Sequence, residues 1–275
     1  MEVAWNGAAN AVIIKSKGMG KSYYVATNGN DSSPGTIDKP WKTFEKAFYS
    51  VEPGNTIYMR GGTYKERLWI HRSGALGAPI TYIAYSGETV TIDGDGVEIP
   101  NNWGGLIEVG AYTSFIRVSG FRAINSVDKG IFVHEGNNII IDGNSMDYTN
   151  SSGIAAVNIR NLAVDKNKIT RANLKGEGAW EAIRVGDCQT VQISSNYIAN
   201  SSMEGIDIIE SSNVKVFSNE VTGLPRVGIY VCGWDKLTKD IKVYDNVIHD
   251  NNAERGILRQ CFIQQRWRRV RYLRT

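Results

Sequence analysis

The chain has 275 residues, 42% hydrophobic and 21% charged, which is ample for one buried core. Its formal charge of +3 misleads: residues 255–275 hold seven Arg and no acid, so the remainder sets 24 basic against 28 acidic residues, a net of −4. No apolar run approaches the length of a membrane-spanning helix, and the spacing of Cys188, Cys232 and Cys261 supports neither a disulfide framework nor a zinc site.

Residues 1–21 read as an N-terminal extension. Their apolar stretch "AVII" is short and is followed, not preceded, by lysines, so they make a poor signal peptide. From residue 22 a strand, a turn-rich loop and a helix over Trp41–Val51 are predicted. Trp41, Phe44, Ala47 and Phe48 give that helix one apolar face. "NTIYMR", "RLWIHR", "PITYIAYS" and "TVTIDG" follow as short alternating strands between Gly-rich turns.

From Gly130 to about Arg255 one phrase is written five times, opening "GIFVHE", "GIAAVN", "AIRVGD", "GIDIIE" and "GIYVCG". Each turn closes on apolar-x-apolar-x-x-Asn, at Asn144, Asn167, Asn196, Asn219 and Asn246, with an apolar residue two positions later. A period of 23 to 29 residues marks a solenoid. The alternation within runs of three to five is that of strands. The predicted fold is therefore all-β, a parallel β-helix with an N-terminal capping helix, spanning residues 22–255. The Asn column is predicted to stack at the ~4.8 Å strand spacing, each Asn in a left-handed turn position, and to do no chemistry.

Residues 256–275 abandon the alternation and the ladder Asn. They read as an atypical basic tail, with a truncated or frame-shifted end favoured over a nucleic-acid-binding arm. An open end of this kind would favour self-association.

With the Ile after each opening Gly inward, an outward column comprises Phe132, Ala155, Arg184, Asp207 and Tyr230. A second column, before the Gly, includes Lys129, Ser152, Glu181 and Glu204. A third includes Glu135, Asn158, Asp187 and Glu210. Charge concentrates on the last three coils. Trp180, Trp234, Glu210 and Asp235 are candidate substrate-binding residues beside it. Glu181 and Glu204 fall at equivalent positions on adjacent coils, ~4.8 Å apart at the backbone, and Asp207 joins them. Three such carboxylates suit Ca²⁺. Paired carboxyls also suit a retaining glycosidase, and the bland alternative is a solvated acidic edge. His134 reads as a surface residue, and spacing suggests no partner for His71 or His249.

The string "YYVATNGND…PGT…KPWKTFEKA…PGNTIYMRGGTYKE…SGALGAPITYIAYSGETVTIDG" resembles the opening of right-handed parallel β-helix proteins of the pectate-lyase-like superfamily. The nearest resemblance is to the group around family 9 polysaccharide lyases. It covers about residues 22–255. It implies a secreted or periplasmic enzyme acting on an acidic polysaccharide, with Ca²⁺ held by acids on successive coils. "MEGID" resembles the family's Asp-Asp-Gly-x-Asp phrase, which places Glu204 and Asp207 at acidic positions and Glu181 one coil earlier. Met203 departs from it, and Tyr230 stands where the family has a catalytic Lys.

Elimination needs a neutralised carboxylate, a base and a proton donor. Ca²⁺ or Arg184 is the candidate for the first. Tyr230, Lys236, Lys175 or Arg226 is the candidate for the base. The expected function is a Ca²⁺-assisted lyase of uronic-acid-containing polysaccharide, with hydrolysis by paired carboxylates or non-catalytic carbohydrate binding as alternatives.

Overall fold

A computed structural model describes residues 20–100, 103–176, 181–252, 256–260, 263–265 and 271–272. The chain winds into a right-handed parallel β-helix whose coils each lay down up to three strands. One stack runs through Leu68–Ile70, Gly105–Val109, the start of Lys129–Asp142, the start of Ile154–Asp165, Ile183–Gly186, Ile206–Ile209 and Ile229–Cys232. The second strands of each coil form another stack and the third strands a separate sheet.

The expected inward column is met: Ile131, Ile154, Ile183, Ile206 and Ile229 are fully buried and in register. The opening Gly has a steric reason. A side chain at Gly153 would strike Ile169 Cγ2 at 2.5 Å, and one at Gly205 would strike Val221 Cγ1 at 2.6 Å. The Gly and the apolar residue after each ladder Asn are thus one contact written at two places in the phrase.

The ladder is continuous. Each amide Nδ2 donates to the Oδ1 of the next Asn, at 3.1 Å for Asn144–Asn167 and Asn167–Asn196 and 2.9 Å for Asn196–Asn219 and Asn219–Asn246. The same Oδ1 accepts the preceding ladder residue's backbone N–H at 2.9 to 3.0 Å. One correction applies to the turn. The left-handed residue is not the Asn but the one before it: Gly143, Lys166, Ser195, Ser218 and Asp245, with φ between 52° and 65°. The Asn side chain is thereby free to point inward along the axis.

At the N-terminal end the helix is Phe44–Ser50, shorter than predicted. Trp41 lies outside it, bridging Val25 and stacking on Tyr23 at 4.4 Å. Thr43 is the N-cap, its hydroxyl accepting from Lys46 N, and Asp31 accepts from the Lys42 and Thr43 N–H groups. Phe44 and Ala47 close the first coil; Phe44 stacks on Tyr64.

Strand pairing continues past the predicted boundary at residue 256. Ile257–Gln260, Ile263–Gln265 and Arg271–Tyr272 pair in parallel with the last regular coil. Backbone groups on an open edge can pair whatever the side chains, so loss of the phrase does not end the winding. No helix among the described residues is long and apolar enough to cross a membrane.

Asn167→Ala would strip Asn144 of its acceptor and leave the Ile141 carbonyl without its Asn167 donor. Orphaning these buried groups is expected to destabilise the fold by at least about 2 kcal/mol, read as a lower midpoint in urea. An unchanged midpoint would show that the ladder is not a source of stability.

Candidate active site

The outward column is in register as expected. Phe132, Ala155, Arg184, Asp207 and Tyr230 succeed one another coil by coil. Phe132, Ala155 and Asp207 are nevertheless fully buried. This wall of the helix is therefore not an open face at these positions.

Arg184 is the hub. Its Nη1 donates to Glu181 Oε2 at 3.2 Å and to Asp207 Oδ2 at 3.1 Å, and all three side chains are largely removed from water. Asp207 Oδ1 is buried without a partner. Burial pushes the Asp207 carboxyl well above the usual range, and the Glu181 charge pushes it further; Arg184 opposes both. Two carboxylates facing one guanidinium carry an excess negative charge that the protein interior penalises. A proton on Asp207 would remove it.

Glu204 is stacked beside Glu181, its carbonyl accepting the Ala182 N–H at 3.1 Å. Its carboxylate turns to Arg226, with Nη1–Oε1 at 3.3 Å. The expected carboxylate trio therefore does not converge on one point. Among the described residues no group of three acid, imidazole or thiol side chains is arranged to hold a metal ion. The guanidinium of Arg184 stands between Glu181 and Asp207, where a bridging cation would be needed, and like charge disfavours Ca²⁺ beside it. The donor set as placed does not fit calcium.

The candidate bases fare differently from expectation. Burial, then the neighbouring Cys232 and Asp207, push the Tyr230 phenol up to about 12. It keeps its proton through the neutral range and can donate but not abstract. Lys236 pairs with Asp187, which raises its pKa. Arg226 is committed to Glu204. Lys175 is exposed on the turn after Asn173, its N–H donating to the Asn150 carbonyl. Trp180 lies outside the described residues.

Of the binding candidates, Glu210 is one of the left-handed corner residues, with φ 48°, as are Glu135, Asn158 and Asp187. The third column is thus a bend in the chain and not part of the strand face. Glu210 Oε1 accepts the N–H groups of Asp235 at 2.7 Å and Lys236 at 3.2 Å. Glu210, Asp235 and Lys236 hold down their own loop, from which Trp234 projects, 57% exposed.

Sequence reasoning missed the other half of the wall. Glu108 precedes Phe132 in the column; it accepts from Arg67 and the Gly105 N–H and lies 3.4 Å from His134 Nε2. Burial alone would raise the Glu108 pKa, but His134, Arg67 and that N–H outweigh it and hold it low. His134 is therefore not the plain surface residue expected; its ring also stacks on Phe132. His71 stacks on Phe48 at 3.5 Å, and His249 Nδ1 meets Asp250 at 2.7 Å. Lys129 is buried against Asp128, with Nζ–Oδ2 at 3.0 Å. The coils before Gly130 lack the repeated phrase, so no spacing pointed to Glu108.

Stacked parallel strands on three sides, an amide ladder inside and an ionised cluster on the first wall define a right-handed parallel β-helix protein. The chain belongs to the family described as "Pel9A-like, right handed beta helix region", which matches residues 23–175. It is similar to pectate lyase PEL9 of Emericella nidulans, 43% identical over 79 residues that make up 28% of this chain and 19% of that protein. The similarity thus spans less than a fifth of that lyase. Among solved structures, the coil resembles a glycoside hydrolase with a TM-score of 0.69 at 12% identity, covering 87% of this chain and 85% of that one. It resembles pectate lyase Pel9A with a TM-score of 0.53 at 16% identity, covering 88% and 73%. At such identity these two likenesses show the fold alone.

Asp207→Asn tests the proton. A folded-state pKa raised above the unfolded value gives stability that is complete below the unfolded pKa and lost as pH rises through the folded one. Asparagine mimics the protonated form. The native protein should lose melting temperature as the pH climbs from 4 to 8, and Asp207→Asn should lose less. The variant is expected to match or exceed the native protein at pH 8. Parallel profiles would show Asp207 ionised throughout.

Proposed function

We propose that the protein is a polysaccharide-degrading enzyme acting outside the cell on uronic-acid-containing chains, with its reacting centre at Glu181, Arg184 and Asp207. The observation that carries this reading is the buried carboxyl pair bridged by one guanidinium, set in a chain of the Pel9A-like family. The similarity to a pectate lyase supports β-elimination on an acidic polymer as the first reading.

The roles follow from charge. Asp207, whose proton affinity burial and the Glu181 charge raise, is the proton donor to the departing glycosidic oxygen. Glu181, which shares Arg184 with it, is the base. Arg184 fixes both carboxyls and offsets the charge of the base and of the substrate carboxylate. Tyr230, next along the column and protonated through the neutral range, supplies a second hydrogen-bond donor. The calcium that the resemblance implies enters only if Arg184 gives up its two carboxylates, and no step here passes through it.

One observation favours hydrolysis as a second reading. Two carboxyls on adjacent coils, one with its proton affinity raised, resemble the division into acid and base that glycoside hydrolysis uses. Meanwhile Tyr230, Lys236 and Arg226 each have a reason not to act as the base.

A panel of polygalacturonate, alginate, chondroitin and xylan, with calcium and with a chelator, separates the readings. Absorbance near 235 nm, from unsaturated ends, is the outcome expected of elimination; new reducing ends without it would establish hydrolysis. Glu181→Gln and Asp207→Asn should each lower kcat by on the order of 10² to 10⁴. Activity should survive the chelator. Strict calcium dependence would show the carboxylates regrouping around a metal, and binding without either product would leave a carbohydrate-binding protein.

A further inference from the structure

The carboxyl cluster occupies one part of a longer wall. The same column begins at Trp69 and runs through Glu108, Phe132 and Ala155 to Arg184. These four coil steps cover on the order of 19 Å at ~4.8 Å each. Glu108, Phe132 and Ala155 are buried along it, but two indoles stand out of the wall: Trp69 is 50% exposed and Trp103 55%.

Both rings are held in place. Trp69 stacks on His71 with centroids 4.1 Å apart, and His71 stacks in turn on Phe48 of the capping helix. Trp103 crosses Phe132 edge-on at 5.6 Å, and Lys129 Nζ lies 4.5 Å from its ring. A rigid aromatic ring offers contact area at little cost in conformational entropy. The charges beneath these rings are already engaged, Arg67 with Glu108 and Lys129 with Asp128. What the wall presents to solvent here is thus flat aromatic surface, suited to the C–H face of a pyranose ring.

The occupant follows from the alignment. Trp69 lies in the column that ends in the carboxyl cluster and Trp103 packs against Phe132 of that column, so a chain entering the cluster lengthwise passes over both. The repeat of a stack of coils is also close to that of a sugar in an extended polymer. We infer that Trp69 and Trp103 form a binding track that holds the same polysaccharide chain on the N-terminal side of the reacting centre. This rests on the polysaccharide reading proposed above.

Affinity electrophoresis of the full chain through gels cast with polygalacturonate, alginate or xylan tests the track without requiring turnover. The native protein should be retarded by at least one polymer. Trp69→Ala and Trp103→Ala should each weaken that retardation by roughly fivefold, within the range of one aromatic contact, and the double variant by more. Trp69→Phe, which keeps a ring, should recover most of the loss. In kinetics the Ala variants should raise KM for the polymer far more than for a trisaccharide too short to reach from the cluster to Trp69. Retardation of the native protein that the double variant fully retains would overturn the track and leave the enzyme reading standing. No retardation of the native protein by any polymer would overturn the track and count against the polysaccharide reading as well. Both indoles are half exposed, so melting temperatures should hold; if Trp103→Ala loosens Lys129, Trp69→Ala alone decides.

Discussion

Everything in this protein depends on one constraint: each coil must lie on the last at the spacing of a parallel strand pair. The backbone supplies that spacing, and the asparagine ladder keeps it in phase. Each of the first four ladder amides joins three coils at once. Asn167, for example, accepts from Asn144 and donates both to Asn196 Oδ1 and to the Ile141 carbonyl. A buried amide so placed leaves no group unsatisfied. A slip of one residue would break every rung and turn the inward Ile column outward. The repeat is therefore strict where the ladder runs, and insertions open at bends, as at residues 171–176 and 233–237.

The same constraint creates the chemistry. Strand stacking forces Glu181 and Glu204 together and sets Asp207 directly above Arg184. Unlike neighbours on a flexible loop, these side chains cannot move apart to relieve repulsion. The protein meets the strain by crossing charges between coils: Arg184 to Asp207, Arg226 to Glu204, Lys236 to Asp187. Only the first of these pairs lies deep in the wall, and there the remaining imbalance raises the proton affinity of Asp207. A structural requirement for close stacking thus becomes a carboxyl group whose affinity for a proton is far from ordinary.

Much of the fold was legible because its signals are local and repeated. The Asn phrase and the alternating Ile, Val and Leu positions occur five times, and the column through Arg184, Asp207 and Tyr230 follows from counting. The part that was not legible involves directions. Sequence offsets place Glu204 beside Glu181 but do not show that its carboxylate turns to Arg226. They place Glu210 three residues past the strand column but do not show the left-handed bend that takes it off the face. Equally, the irregular coils before Gly130 carry Arg67, Glu108, Trp69 and Trp103, and no phrase there sets the register. Of the proposed reacting centre and the proposed track, only the first lay in coils whose register the sequence could set.

The two halves of the wall differ in how they can hold a sugar polymer. Near Arg184 the groups are charged, buried and mutually committed, so a substrate gains there chiefly by replacing one internal contact with another. Such exchange gives little net affinity, because each new hydrogen bond breaks an old one. It does allow discrimination, since a poorly matched group leaves a buried charge unpaired. Around Trp69 and Trp103 the reverse holds: the surface is apolar, rigid and half exposed, and covering it releases water without breaking an ion pair. A β-helix can keep these tasks apart because successive coils share a register but not a sequence. On the reading proposed above, affinity would accumulate along the axis while a single pair of coils would carry the proton chemistry.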